Sequence, residues 1–329
     1  TTNSKIDMPA VLDFRFQEAV RSYLSGGGSA QGMQTLFAGD DWFIDDDSNV
    51  YSLPTFIGNH DMGRFGYFLN ADNGSQSDAD KLSRAEMASA LMYFSRGVPV
   101  TYYGDEQGFT GDGGDKDARQ DMFPSQVPSY NDDDLIGTDA TTADDNFDPT
   151  HPLYQAFSQY AAVRVANPAL ETGAQIHRYA ANGAGIYAFS RIDRDEKIEY
   201  LVAFNNSTAA ATADVQTFYG SGAQFDLVLA EGSGAPASIT TGAGGAANLN
   251  VPALGFVVYK AAAPVAASSA APAVSISNLT GGQEVQLGYQ EIDGNTIPLR
   301  MEVAANVEGN QYTEVTFAVR AAGTDDFTV

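Results

Sequence analysis

The sequence predicts an α/β domain followed by an all-β sandwich. Up to residue 170, short apolar runs of strand length alternate with longer segments of helical periodicity, which is typical of βαβ units and a parallel sheet. After Glu171 the chain changes to short alternating strands with Gly, Asn and Ser between them, as in an antiparallel sandwich. Residues 261–272 then form an Ala-, Pro- and Ser-rich linker, and residues 273–329 carry strand patterns again.

Strands and helices alternate in the first part. The predicted strands are residues 10–14, 53–58 and 98–103, and the predicted helices are residues 15–24, 77–95 and 151–167. Three glycines end the first helix, Ser77 or Asp78 caps the second, and Pro168 follows the third. Residues 105–149 are rich in Gly and Asp and lack periodicity, and a loop of this length in a compact domain is more often functional than idle.

The second part contains four predicted strands. They are residues 185–190, 199–205, 223–229 and 254–260. The predicted domains are therefore an α/β domain over residues 1–170 and a β-sandwich over residues 171–260, with the linker after it. Residues 273–329 stop on an apolar strand pattern, and we interpret them as an incomplete further β-rich module.

The composition indicates a folded protein and excludes several classes of partner. Acidic side chains number 42 against 17 basic ones, and the net charge of −25 argues against binding to nucleic acid or an anionic membrane, since both need a basic patch. The absence of cysteine excludes disulfides and thiolate metal sites. No apolar run is long enough to span a bilayer, so no membrane segment is predicted, and no signal peptide is recognisable.

Polar side chains follow two of the predicted strands at the point where each strand ends. Residues 55–65 read TFIGNHDMGRF and place His60, Asp61 and Arg64 after an apolar run. Residues 97–108 read GVPVTYYGDEQG and place two carboxylates after a second run. Two parallel strands that deliver polar groups at their carboxyl ends, with a helix between them, are the arrangement in which an α/β barrel builds its site.

These stretches resemble the alpha-amylase family of glycoside hydrolases. FIGNHD is similar to that family's last conserved block, on its seventh barrel strand, and GVPVTYYGDEQG is similar to its eighth strand and loop. GDKDARQDMF, at residues 114–123, resembles the family's DPDxRxPM segment. The resemblance implies that residues 1–170 are the C-terminal half of a (β/α)8 TIM barrel, with residues 10–14 as its sixth strand, and that residues 171–260 are the β domain that follows.

The resemblance also implies roles for five residues. Asp61 would be a third catalytic carboxylate, which helps to distort the sugar and holds its hydroxyls while positive charge develops. His60 would donate a hydrogen bond to the same sugar, and Arg64, grouped with it as substrate-binding, would brace the local charge network. Asp115 and Arg119 would bind the neighbouring glucose unit.

The match to the family pattern is incomplete in the loop. Lys116 and Asp121 stand where the family has proline, so the loop contacts are less firmly implied than the role of Asp61. Tyr102 and Tyr103 could stack on sugars, but neighbouring residues of a strand point to opposite faces, so at least one of the two is expected in the core.

The family's nucleophile and general acid lie on its fourth and fifth strands, and no similar segment precedes residue 10. We therefore expect both groups upstream of this chain and expect the chain alone to be inactive. A fragment of a larger enzyme is the favoured interpretation. The alternative is a natural half-barrel that has lost catalysis, which would leave open strand edges prone to aggregation.

The expected function is cleavage of α-glucosidic bonds in starch or maltooligosaccharides by an alpha-amylase-like retaining glycoside hydrolase. A transglycosylase of the same family is one alternative, and a non-catalytic glucan-binding protein is another. Calcium is expected as a cofactor from the resemblance, with ligands outside this chain, and no metal ligand is assigned here. An extracellular location is expected because starch does not enter cells.

Overall fold

The computed structural model describes residues 10–43 and 49–267, together with the shorter stretches 273–283, 289–292, 295–298, 305–308, 312, 314–318, 320 and 322–324. The chain divides into two compact units, Thr1–Pro264 and Val265–Val329. The predicted site lies in the first unit. Over the described ranges, no helix combines the length and apolar character needed to cross a membrane.

Seven helices are described in the first unit. They are α1 (Phe14–Val20), α2 (Gln31–Ala38), α3 (Phe65–Asn73), α4 (Asp78–Phe94), α5 (Pro128–Asn131), α6 (Pro152–Ala166) and α7 (Pro168–Thr172). A π-helical turn, Arg21–Ser25, continues α1. At the start of α4 the Ser77 hydroxyl accepts a hydrogen bond from the Asp80 N–H at 3.1 Å, as expected of an N-cap. The three predicted helices are thus confirmed in α1, α4 and α6.

The two strands beside the predicted site pair in parallel, as the sequence predicts, but they are shorter than predicted. They are β1 (Pro54–Thr55) and β2 (Val98–Pro99). Both contain a proline, which cannot donate to a ladder, so the pairing relies on hydrogen bonds from the Val98 and Val100 N–H groups at 2.8 and 2.7 Å. Beyond them, Asn59 pairs with Gly63 in a turn of its own instead of extending the sheet.

The prediction of a strand over residues 10–14 is wrong. Residues 10–13 carry no strand, and α1 begins at Phe14. The reason is local: the Asp13 side chain accepts a hydrogen bond from the Phe16 N–H at 3.0 Å and caps the helix. A single backbone hydrogen bond of 3.0 Å, from the Asp13 N–H to the Pro54 carbonyl, is what links this segment to β1.

The rest of the first unit is antiparallel β-structure. Its strands are β3 (Ala174–Ala180), β4 (Ile186–Ile192), β5 (Glu199–Asn205), β6 (Ala211–Gln216), β7 (Gln224–Glu231), β8 (Ser238–Thr240), β9 (Ala246–Val251) and β10 (Gly255–Ala261). Six of them form one sheet in the order β3-β4-β5-β10-β7-β8, and β6 pairs with β9. All four predicted strands are confirmed, in β4, β5, β7 and β10.

The six-stranded sheet is covered on both faces. Phe189, Phe204 and Phe256 lie in the core that the sheet shares with the helices, whereas Ala188 and Val257 lie in a second core that includes β6 and β9. Strands β4 and β5 are consequently buried along their whole length. This explains the continuous apolar stretches over residues 186–189 and 200–204, which stand in place of the predicted alternation. The helical layer and the β-layer thus share one core.

Two carboxylates interact electrostatically where the helical layer packs on the β-layer. Glu86 of α4 is partly buried and within electrostatic range of Glu231 in β7 and of the buried Tyr160 hydroxyl. Burial, followed by the charge of Glu231, raises the pKa of Glu86 from 4.5 to about 7. Between these values the folded state keeps a proton that the unfolded chain has lost, so this group lowers stability as the pH rises through that window.

Replacing Glu86 with glutamine is therefore expected to stabilise the chain at pH 8. The Tm should rise by a few degrees, since about 1 kcal/mol moves the Tm of a domain this size by 2–4 °C. The gain should shrink towards pH 5, where the wild-type carboxyl is already protonated in the folded state. Thermal unfolding of both proteins across this range tests it, with the exposed Glu18→Gln as the control. An equal gain at both pH values would contradict the explanation.

The second unit contains two described strand pairs. Strand β11 (Ala273–Ile276) pairs with β14 (Ala305–Glu308), and β12 (Tyr289–Ile292) pairs with β13 (Asn295–Pro298), both antiparallel. The sequence of residues 313–319 also has a strand pattern, but this prediction is not confirmed, because the described residues 314–318 carry no strand. Residues 268–272 of the predicted linker lie outside the described residues, and the incompleteness of the module stays a prediction.

Candidate functional site

A tight turn after β1 presents the first two predicted site residues. The Asn59 side chain accepts hydrogen bonds from the Asp61 and Met62 N–H groups at 2.9 and 3.0 Å, and its backbone pairs with Gly63. This geometry points His60 and Asp61 outward, and the Asp61 side chain is 69% exposed. The turn therefore fixes the backbone and leaves the carboxylate accessible.

Four of the five predicted site residues come together. The imidazole Nε2 of His60 lies 3.2 Å from Oδ1 of Asp61. Nη2 of Arg119 lies 3.0 Å from Oδ1 of Asp115 and 3.6 Å from Oδ1 of Asp61. Two carboxylates thus share one guanidinium at the surface, and the imidazole contacts the same Oδ1 of Asp61.

Close backbone packing holds the loop after β2 against this turn. The Asp115 N–H donates to the Asp61 carbonyl at 3.3 Å. A Cβ on Gly114 would lie only 2.6 Å from the same carbonyl oxygen, so a side chain there would push the two segments apart. Asp115 itself has a φ of +51°, a conformation that non-glycine residues rarely adopt. The Tyr130 hydroxyl closes the loop by donating to the Lys116 carbonyl at 2.9 Å.

Arg64, the fifth predicted residue, lies beneath the site. Its side chain has no exposed surface, and its Nη1 donates to the Tyr103 carbonyl at 2.7 Å and to Asp105 at 3.0 Å. Its Cζ lies 4.5 Å from the ring centre of Tyr102 and 5.1 Å from that of Phe109. These rings surround Nε and Nη2, which have no hydrogen-bond partner. This buried position favours the bracing role of Arg64 over a direct contact with substrate, and its assignment as substrate-binding stays a prediction.

The environment of Arg64 also accounts for two other residues. Burial raises the pKa of Asp105 to about 6, while the guanidinium of Arg64 opposes the shift. Tyr102 and Tyr103 contact each other edge to face, with ring centres 4.7 Å apart. The prediction that at least one of them is in the core is wrong: Tyr102 is partly exposed and Tyr103 is exposed, because both rings flank the rim above Arg64.

A second acidic cluster lies in the same loop. Asp112, Asp132 and Asp133 each place one oxygen within 4.8 Å of the others. Asp133 already accepts a hydrogen bond from Gln120 at 2.5 Å, and burial, then the charge of Asp112, raises its pKa to about 7. Three carboxylate oxygens fall short of the six to eight that calcium prefers. These residues do not by themselves make a calcium site, so no metal ligand is assigned.

The arrangement around Asp61 suits the recognition and stabilisation of a sugar. Its carboxylate can accept hydrogen bonds from hydroxyls and can offset positive charge that develops nearby. Retaining hydrolysis needs two more carboxyl groups, about 5–5.5 Å apart across the bond. Of the neighbouring carboxylates in the described part of the chain, Asp115 is engaged by Arg119 and Asp105 by Arg64. Asp61 therefore fits a supporting role better than that of nucleophile or general acid.

Comparison with known families supports the fold. Residues 3–173 match the family model for the alpha amylase catalytic domain, and residues 179–262 match that for the alpha amylase C-terminal all-beta domain. An alpha-amylase from Streptomyces lividans is 44% identical over 319 residues, which are 97% of this chain and 32% of that protein. A cyclomaltodextrin glucanotransferase from Niallia circulans is 31% identical over 219 residues, which are 67% of this chain and 25% of that protein. The chain thus spans a third or less of the length of these relatives.

Solved structures show the same fold. The alpha-amylase from Geobacillus thermoleovorans, complexed with acarbose, has a TM-score of 0.57 at 19% identity over 77% of this chain and 48% of that one. A cyclomaltodextrin glucanotransferase with a three-domain ABC distribution has a TM-score of 0.55 at 24% identity, over 76% of this chain and 44% of that one. The predicted fold class is confirmed as an alpha-amylase catalytic domain followed by an all-β domain.

Proposed function

The chain belongs to the alpha-amylase family of glycoside hydrolases, and from this premise we propose that it is part of a retaining enzyme that cleaves α-glucosidic bonds in starch or maltooligosaccharides. The observation that carries the proposal is the exposed carboxylate of Asp61, which contacts His60 and Arg119 through Oδ1 on a turn that follows a parallel strand. Side chains at the carboxyl ends of such strands form the active sites of α/β barrels.

The proposed mechanism divides the work between this chain and sequence upstream of it. We place the nucleophile and the general acid upstream, because Asp105 and Asp115 are already paired with arginines and because the matched region is about a third of the Streptomyces lividans alpha-amylase. Asp61 would accept hydrogen bonds from the sugar hydroxyls and favour the distorted ring. Its negative charge would therefore stabilise the oxocarbenium-like transition state more than the ground state. This chain alone would then be inactive.

The neighbouring residues have separate proposed roles. His60 would donate to the same sugar through its ring nitrogen. Arg119 and Asp115 would bind the adjacent glucose unit as a pair, since their 3.0 Å contact fixes both side chains at the surface. Arg64 would hold the rim from below through Asp105 and would not contact the sugar.

Two further properties are proposed on chemical grounds. The protein would be secreted, because a polymer such as starch must be degraded outside the cell. Calcium would serve as a structural cofactor, as the resemblance implies, and its ligands would come from outside the described residues.

Reducing-sugar release from soluble starch tests the proposal. We expect no activity above background from this chain, and activity from a longer protein that includes the upstream sequence. Turnover by the short chain would show that the catalytic pair lies within it. A longer protein that binds glucan without turnover would instead favour a non-catalytic glucan-binding protein.

A transglycosylase of the same family is the second candidate. It is favoured by the cyclomaltodextrin glucanotransferases among the relatives and the structural neighbours. Both activities use the residues described here, so the products separate them. Cyclic or lengthened oligosaccharides from a pure maltooligosaccharide would identify transfer, whereas linear products that are all shorter than the substrate would identify hydrolysis.

A further inference from the structure

Two aromatic side chains of the long loop project into solvent next to each other. Phe123 is 70% exposed and Phe147 is 54% exposed. Their ring centres lie 5.2 Å apart, with the ring planes inclined at 56°. Single exposed apolar residues need no explanation, but a pair of adjacent phenyl rings with a polar surround indicates a binding surface.

A buried polar network fixes the backbone that carries these rings. The Asn146 N–H donates to the Met122 carbonyl at 3.0 Å, and the Ser125 N–H donates to the Thr142 carbonyl at 2.8 Å. The Thr142 hydroxyl in turn hydrogen-bonds the Asn131 side chain at 2.9 Å. Ser125, Thr142 and Asn146 are all buried. Hydrogen bonds therefore join the two backbone segments that carry the phenyl rings, directly beside each ring. The position of the exposed ring pair is thus fixed before any ligand binds.

The charges around the rings select a neutral, hydroxyl-rich ligand. Asp121, Asp145 and Asp148 flank the two rings in sequence and are exposed. Lys116 and Arg119 are the cations of this loop, and Arg119 is already paired with carboxylates in the candidate site. An anionic partner would be repelled here. A pyranose ring, by contrast, can lay its C–H face on a phenyl ring while its hydroxyls donate to the carboxylates.

We propose that Phe123 and Phe147 form a second α-glucan contact, outside the site built around Asp61. The inclined rings would contact successive glucose units of a curved chain, and the exposed aspartates would accept hydrogen bonds from its hydroxyls. Because the two rings share the loop over residues 105–149 with Asp115 and Arg119, one polysaccharide could engage the rings and the candidate site together. This inference rests on the proposed function for the identity of the ligand.

The test measures binding by this chain, without any need for turnover. Maltoheptaose binding is followed by titration calorimetry, and glycogen binding by retardation in a native gel. We expect Phe123→Ala and Phe147→Ala each to raise the Kd for maltoheptaose by about tenfold or more, as for an aromatic anchor at the centre of a contact. Val165→Ala is the matched control, because Val165 is the more exposed residue, at 76%, and lies on α6; it should bind as the wild type does.

Several outcomes would overturn the inference. Absence of wild-type binding, or equal binding by wild type and both variants, would overturn it. So would a longer protein in which the variants lower the Tm and leave glucan binding unchanged, since the rings would then be covered by another part of that protein. Hydrolysis by the longer protein is measured separately. If it hydrolyses starch but does not bind glucan at the rings, this inference alone is refuted. If it binds glucan at the rings but does not hydrolyse it, the proposed function alone is refuted.

Discussion

Replacing Asp61 with asparagine is expected to lower kcat on starch by about two to four orders of magnitude in the longer, active protein, the range for a group that acts on the reacting sugar. The substitution keeps the size of the side chain and removes its charge. Asp61 is exposed, and its turn is held by Asn59 and not by its own side chain, so the fold should be unaffected. The loss should therefore appear in the chemical step and not in the Tm.

The comparison of kcat with KM distinguishes this role from simple substrate binding. Removing a residue that stabilises only the transition state lowers kcat, whereas removing one that binds the ground and transition states equally raises KM alone. Asp139→Asn removes an exposed charge from the loop over residues 105–149 and serves as the control. If Asp61→Asn changes only KM, or changes kcat no more than the control does, Asp61 is not a catalytic residue.

The location of this site could be predicted from the sequence, but its geometry could not. Polar residues after two apolar runs indicate the end of a parallel pair, and β1 and β2 are such a pair. The loop contacts depend on distant features: the close approach of Gly114 to the Asp61 carbonyl and the positive φ of Asp115. Neither has a periodicity that a sequence pattern could show. The same holds for the burial of Arg64, because Arg64 and Asp105 are 41 residues apart.

The errors in the strand predictions have local causes. The run over residues 10–14 contains a helix-capping aspartate, and the cap outweighs the β-propensity of its neighbours. Strands β6 and β9 were not predicted because they are rich in Ala, Asn and Asp, which are poor strand formers, and what holds them is the apolar face of the larger sheet. Strands β4, β5, β7 and β10 were predicted because their short strand patterns are bounded by Gly, Asn and Ser.

Arg96 is a structural centre that sequence reasoning did not identify. It precedes β2, is 1% exposed, and donates to Asp13 at 2.5 Å and to Asp40 at 2.6 to 3.0 Å. Its own N–H donates to the Gln175 side chain in β3 at 2.7 Å. One side chain therefore joins the start of α1, the turn after α2 and the segment before β2, while its backbone contacts the β-sheet.

Arg96→Met is expected to destabilise the chain by about 3–5 kcal/mol, because it retains most of the apolar side chain but leaves two carboxylates without their cation in a site from which water is largely excluded. Arg21→Met is the matched control: Arg21 makes a similar two-bond contact with Asp72 at 2.7 and 2.8 Å, but its side chain is 40% exposed, so its loss should cost about 1 kcal/mol or less.

Urea unfolding of the two variants separates burial from pairing as the source of the effect. Adding Asp13→Asn and Asp40→Asn to Arg96→Met should recover part of the lost stability, since the repelling and unpaired charges are then removed together. Equal losses for the two single variants would mean that the buried network contributes no more than a surface pair. A triple variant less stable than Arg96→Met would mean that the carboxylates are held by other groups, and the stability of this region would then have to come from its apolar contacts.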